Sequence, residues 1–191
     1  MQSAVRYTTA YLDALPESHD GTRYEIIDGE LYVSHQPHWE HQYASTSIAS
    51  GLDRWSRMSK RGMVNTAPGV IFSEYDSVAP DLVWISFSRL REGLLDDGKL
   101  HVAPELMIEI LSSGSRNVRR DREAKLKLYD ATGVEEYWIV DWRTKTLDVF
   151  RRRDGRLAFV ETLSGDDRLT SPLLPGFEIG LSEIWDPGFG A

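Results

Sequence analysis

The chain has no cysteine. Disulfides and thiolate metal sites are thereby excluded, and a reducing cytoplasm is the expected compartment. No apolar run approaches the roughly 18 residues of a membrane-crossing helix, so no membrane role is expected. Met1 to Leu15 has no basic start followed by an apolar stretch, and no secretory leader is read there. Repeats, low-complexity tracts and Gly/Ser linkers are lacking as well. The expectation is one domain over 1–191, with its core over about 24–151 and a C-terminal tail over 164–191. Positive charge is in short supply: 22 Lys and Arg stand against 30 Asp and Glu, for a net charge of −8. A general electrostatic grip on polyanions is disfavoured by that balance, which leaves such contact to a local basic strip or a metal.

What is present is a globular composition, 41% hydrophobic and 27% charged, on a chain long enough to bury a core. Residues 24–27 and 31–33 are apolar runs on either side of Asp28-Gly29, which predicts a β-hairpin. After Pro37, Ala44, Ile48, Leu52 and Trp55 recur at helical spacing and predict a helix over about 39–60 that Gly62 ends. Residues 70–72 and 82–85 read as strands around a polar turn at 74–77, and 92–99 reads as a loop. The run 106–111, apolar except for one residue, predicts a strand buried on both faces. Residues 112–115 can cap a helix over about 118–132 that stops at Gly133. Strands at 137–140 and 147–150 follow, joined by a turn at 142–145, then an edge strand at 158–163. Pro172 and Pro175 mark an irregular tail with a short helix near 181–185. The order predicts an α/β fold: a mixed central β-sheet flanked by helices, with an N-terminal β-hairpin.

Two acids sit where acids are costly. Asp81 follows Pro80 and precedes Leu82-Val83-Trp84-Ile85, and Glu109 interrupts the apolar run 106–111. A carboxylate in a central strand must be paired or metal-bound. Two on adjacent strand ends repel until a divalent cation lies between them. Oxygen ligands suit Mg²⁺, which takes one or two carboxylates and completes its shell with water and phosphate oxygens; Mn²⁺ can substitute. The plain alternatives are a strand-initiating acid after proline for Asp81 and a buried arginine pair for Glu109. On a helical wheel Ala124, Leu128 and Ala131 form a core stripe, with Val118 and Tyr129 further round the same side. Asp121 and Lys125 fall inside that arc, which makes Lys125 the third member, an Asp121–Lys125 ion pair being the plain alternative. Together Asp81, Glu109 and Lys125 predict phosphodiester hydrolysis, the acids holding the metal while Lys125 orients water or offsets developing charge. Arg116, Arg119, Arg120 and Arg122, with Lys125 and Lys127, form a basic strip open to two readings, phosphate contact and a solvated helix face. Arg151-Arg152-Arg153 reads as solubilising.

Taken in order, these segments carry a resemblance. They are Tyr24-Glu25-Ile26-Ile27-Asp28-Gly29-Glu30-Leu31, then Ala79-Pro80-Asp81-Leu82-Val83, then Pro104-Glu105 with the run through Ser112. Asp121, Lys125 and Tyr129 follow, and Gly133-Val134-Glu135-Glu136-Tyr137-Trp138-Ile139-Val140-Asp141 closes the set. The pattern resembles the Uma family of restriction-endonuclease-like proteins, within the PD-(D/E)XK nuclease superfamily, over about residues 24–150. The resemblance implies a restriction-endonuclease-like core, endonuclease action on DNA, Mg²⁺ and a homodimer. The superfamily's lysine, two residues after the strand carboxylate, would fall here on Leu111; the resemblance moves it to Lys125. Glu25 and His41 match family positions and, with Asp121, are accessory candidates; a hairpin ion pair and a structural histidine are the plain roles of the first two. The competing functional reading keeps the fold as a catalytically inactive binding or assembly module, which the net acidity favours. Trp185 and Phe189 are aromatic candidates for an interface or for packing the tail onto the core.

Overall fold

The computed structural model describes residues 5–15, 22–112 and 114–185, without the side chains of Ser115 and Arg116. Ser113, part of the expected helix cap, and Phe189 lie outside the described residues. A short helix, α1 (Thr9–Asp13), precedes the hairpin of β1 (Arg23–Ile27) and β2 (Glu30–Ser34). Asp28 and Gly29 turn the chain at φ 50° and 75°, the left-handed geometry that this dipeptide favours. β4 (Val70–Ser73) and β5 (Asp76–Val78) extend the hairpin into a small antiparallel sheet of order β2-β1-β5-β4. The polar stretch 74–77 is therefore partly strand.

The long helix α2 (Trp39–Ser59) buries Ala44, Ile48, Leu52 and Trp55, the stripe its spacing encodes. It ends on Lys60 in the left-handed region (φ 55°), not on Gly62. Gly62 opens a strand that the sequence pattern did not reveal, β3 (Gly62–Thr66). A Cβ at Gly62 would stand 2.2 Å from the Ile85 carbonyl oxygen, so this glycine serves close contact between strands. β6 (Leu82–Ser86) runs into α3 (Phe87–Gly93), whose first turn is capped by the Ser86 hydroxyl accepting from the Arg89 amide. That helix occupies the start of the segment read as a loop.

β7 (Leu106–Ile110) is buried along its whole length. It is followed by α4 (Ser115–Arg119), a π-helical turn over Arg120–Lys125 and α5 (Leu126–Thr132). β8 (Glu136–Asp141), β9 (Thr146–Arg153) and β10 (Arg156–Ser164) complete a six-stranded sheet of order β10-β9-β8-β7-β6-β3. Its β7–β8 pair is parallel and its other pairs antiparallel, so the central sheet is mixed. The tail forms β11 (Arg168–Thr170), β12 (Glu178–Gly180) and a 3-10 turn at Leu181–Glu183. It is not a loose appendage: Leu169, Leu174, Phe177, Ile179, Leu181 and Ile184 are buried against one face of the large sheet, and Trp185 packs there too.

Alternation along β7 separates two cores. Leu106, Ile108 and Ile110 face α2 and the tail. Met107 and Leu111 face the other way, toward Leu128, Tyr129 and the small sheet. Glu109 shares their parity and therefore points toward the helix that carries Lys125. Among the described residues no helix is long and apolar enough to cross a membrane.

Candidate active site

The acids come to one place through strand register. β6 and β7 pair Leu82 with Ile108 and Val83 with Met107. One step further along the same antiparallel register, Asp81 stands across from Glu109, on the same face of the sheet. The Ile110 amide donates to Asp81 Oδ2 at 2.9 Å, which ties the two strand ends together. Asp81, Glu109, Lys125, Glu25, His41 and Arg120 line one small cavity of about 20 Å³. That space holds roughly one water-sized guest.

Lys125 is the hub. Its ammonium lies 2.9 Å from Glu109 Oε1, 2.9 Å from Glu25 Oε1 and 3.7 Å from Asp121 Oδ1. The i,i+4 pair with Asp121 is present, but it is buried within a network. Tyr129 donates its hydroxyl to Glu109 Oε1 at 2.7 Å. Arg120 bonds Asp121 Oδ1 at 2.8 Å and faces Glu25 Oε2 at 3.3 Å. Glu25 also accepts from the Ala79 amide at 2.9 Å, which fixes the small sheet beside the approach to β6. His41, in the first turn of α2, places Nε2 3.2 Å from Asp81 Oδ2, and Arg23 reaches Asp81 Oδ1 at 3.3 Å.

The π turn explains why the helical wheel succeeded in part. Its wider winding brings Asp121 and Lys125 to the same inner side and turns Arg120 inward with them. It also shifts the phase of everything after it. Leu128 and Tyr129 are buried, whereas Ala131, expected in the core stripe, is exposed. The Tyr137 hydroxyl donates to the Asp121 carbonyl at 2.8 Å and braces the turn from β8.

The basic strip is correspondingly reduced. Arg120 is 6% exposed and belongs to the buried network, not to an outer phosphate-binding face. Arg122 pairs with Asp148 at 2.5 Å and Arg119 with Glu123 at 3.1 Å. The side chain of Arg116 lies outside the described residues. Arg119 and Lys127 remain on the surface, beside a groove of about 500 Å³ between the hairpin and the helix. The second arginine cluster also has structural work: Arg152 donates to the carbonyls of Val134, Asp130 and Gly155, and Arg151 to Glu136 and the Thr170 carbonyl.

Burial sets the charge states. It pushes the Glu109 carboxyl up to about 8; Lys125 opposes the rise, while Asp121, Asp81 and Glu25 add to it. Burial alone would pull the Lys125 ammonium down, but Glu109, Glu25 and Asp121 outweigh it and hold the lysine above its ordinary range. Lys125 is thus a fixed positive charge. His41 is also raised: burial opposes protonation, and its bond to Asp81 outweighs that effect. Asp81 is correspondingly lowered, burial being outweighed by His41 and the Ile110 amide.

The donor set fits a hard divalent cation. Glu25, Asp81, Glu109 and Asp121 bring four acids together, opposed by Lys125 and Arg120 and, on Asp81, by the buried His41 and the partly exposed Arg23. A bound cation would take the place of the proton that burial favours on Glu109. Among the described residues no cluster of three acids or histidines forms a ready-made cage. Mg²⁺ does not need one, since it keeps several waters and takes few protein oxygens. Tyr129 is the member that pattern reading left in the core. Its signal was a tyrosine four residues after the lysine, on the same inner side, where a buried hydroxyl must find a partner.

The same architecture occurs in a solved structure from Anabaena variabilis ATCC 29413, described as "a putative nuclease belonging to DUF820". The two superpose with a TM-score of 0.74 at 18% identity, over 93% of this chain and 96% of the other. At that identity the likeness speaks to the fold. No curated protein matches the sequence. A family model, Uma2, described as "Putative restriction endonuclease", matches residues 9–182. The resemblance read from the sequence segments is thus borne out at the level of family, and the chain belongs to the nuclease-type Uma2 family.

Proposed function

We propose that the protein is a Mg²⁺-dependent endonuclease that hydrolyses phosphodiester bonds in DNA. The observation that carries this reading is the convergence of Asp81, Glu109 and Lys125 on one ion-sized cavity, with Glu25 beside them. Asp81 and Glu109 would hold the metal, with Mn²⁺ able to substitute. When bound, the cation supplies Lewis acidity toward a phosphoryl oxygen and acidifies a bound water.

The chain's own residues do the rest. Lys125, held protonated, cannot accept a proton; it lends positive charge where negative charge grows on the phosphate. Tyr129 orients the Glu109 carboxylate by donating to Oε1. His41 fixes Asp81 from the side of α2. Glu25 and Asp121 hold Lys125 and Arg120 in place. Cutting both strands of a duplex calls for two such sites, which fits a homodimer.

The test is cleavage of plasmid and oligonucleotide DNA with and without Mg²⁺. Asp81→Ala and Glu109→Ala should each reduce cleavage by about 10²-fold or more, with circular dichroism unchanged. Cleavage that persists at the wild-type rate in both variants refutes the proposal. DNA binding with no metal-dependent cleavage in the wild type would favour the inactive binding module.

A further inference from the structure

Two grooves adjoin the site, and they differ in chemistry. The larger, between the hairpin and α4, sets Asp28, Glu30 and Glu123 among Arg119, Arg120 and Lys127. Its charges balance, and Arg119 and Arg120 are already engaged by acids. A polyanion gains little there. The other groove, of about 310 Å³, runs between α2 and the end of β3 and terminates on Asp81 and Arg23. Those two residues also line the ion-sized cavity, so the groove and the site share a wall.

The lining of this second groove suits a nucleotide. Gln42, Ser45, Thr46 and Ser50 fall on one face of α2, and Thr66 closes the far side. Among the described residues Asp81 is the groove's sole acid, and Arg23 lies beside it. The hydroxyls of Ser45, Thr46, Ser50 and Thr66 have no protein partner among the described residues, so a guest can take them without breaking an internal bond. Arg23 uses Nη1 on Asp81 and keeps further guanidinium donors for a phosphate. Gln42 touches the groove and the site together, its Oε1 lying 3.2 Å from His41 Nδ1. The volume is at the lower end of the about 300–1,000 Å³ typical of ligand sites.

We propose that this groove seats the nucleotide adjoining the scissile phosphate, with Gln42, Ser45, Thr46 and Thr66 as strand-positioning residues and Arg23 on the phosphate. The guest's identity as a nucleic acid strand rests on the nuclease reading; the groove's role is tested separately from it. Uncharged hydroxyl and amide donors here hold the backbone without a strongly basic surface, which accords with a chain of net charge −8.

The experiment measures anisotropy of a fluorescently labelled DNA oligonucleotide on Glu109→Gln protein, with wild-type protein in EDTA as a second non-cleaving form. Ser45→Tyr, which fills the groove, should weaken binding about tenfold or more. Gln42→Ala and Thr46→Ala, which remove only a donor, should each weaken it about threefold to tenfold. In the metal-loaded protein Ser45→Tyr and Thr46→Ala should raise KM while kcat stays within about twofold. Lys127→Ala, in the larger groove, should change binding by less than about twofold. Wild-type affinity in all three groove variants overturns the proposal, as does transfer of the loss to Lys127→Ala or failure of the wild type to bind the oligonucleotide. Loss of binding in the groove variants from a wild type that never cleaves would uphold the groove and defeat the nuclease reading.

Discussion

The central sheet carries a buried glutamate near each end, and the two are treated differently. At the start of β8, Glu136 accepts from the Trp138 indole at 2.8 Å, from Arg151 at 3.2 Å and from the Ser171 hydroxyl at 2.5 Å. One acid meets one cation and two neutral donors, and the bond to Ser171 pins the tail to the sheet. At the end of β7, Glu109 meets Lys125 and Tyr129, but Asp81, Glu25 and Asp121 crowd the same space. A buried acid is therefore not in itself a sign of chemistry. The sign is several acids gathered on one small cavity, close enough to push one of them above its ordinary range.

The comparison breaks first at the hub. Lys125→Ala should cost about 3–5 kcal/mol in urea denaturation of the metal-free protein, because it leaves Glu25 and Glu109 buried without their cation. A cost below about 1 kcal/mol would mean that the acids are hydrated or protonated and the network is loosely held. Next, the two glutamates should answer neutralisation differently. Glu136→Gln should destabilise by about 1–3 kcal/mol, since it weakens a balanced cluster. Glu109→Gln should leave the metal-free protein as stable as wild type or more so, since burial already favours a neutral side chain there. Equal losses at both positions would erase the distinction.

Tyr129→Phe is a finer probe. Stability should fall by about 1–1.5 kcal/mol, and the Mg²⁺ concentration for half-maximal cleavage should rise about 10-fold or more. Unchanged metal dependence would confine Tyr129 to packing. The smallest effect is in pH. Glu109 has its folded pKa raised to about 8, so its stabilising neutral form is fully present below its unfolded value and is lost as pH rises through about 8. His41, raised above 6.5, gives stability in its charged form that is likewise lost as pH rises through its folded pKa. Thermal melts in chelator should therefore fall from pH 6.5 toward and past 8, and Glu109→Gln should flatten that fall. A melting temperature rising over this range would contradict both assignments.

Much of the scaffold was legible because each signal was local. Asp28-Gly29 encodes its turn, the α2 stripe is a simple period, and Glu109 stands out against an apolar run. Long-range contacts hid the remainder. Gly62 reads as a helix stop until the Ile85 carbonyl is seen pressed against it. β5, β11 and β12 have three residues each, too few to show a period. Arg120 looks like a surface cation because an ordinary helical wheel cannot register a change of winding. The same wheel placed Ala131 in the core for that reason. Asp81 and Glu109 were recognised as unusual separately; that they share one face followed only once β6 and β7 were in register.

That change of winding makes length itself a coded property of this helix. Deleting one residue such as Glu123 from that wide turn would let ordinary coiling close the gap with Tyr129 still on its carboxylate, whereas inserting a further residue would swing the downstream rod by about 100°. The spiral there should therefore bear the loss of one residue more readily than the gain of another.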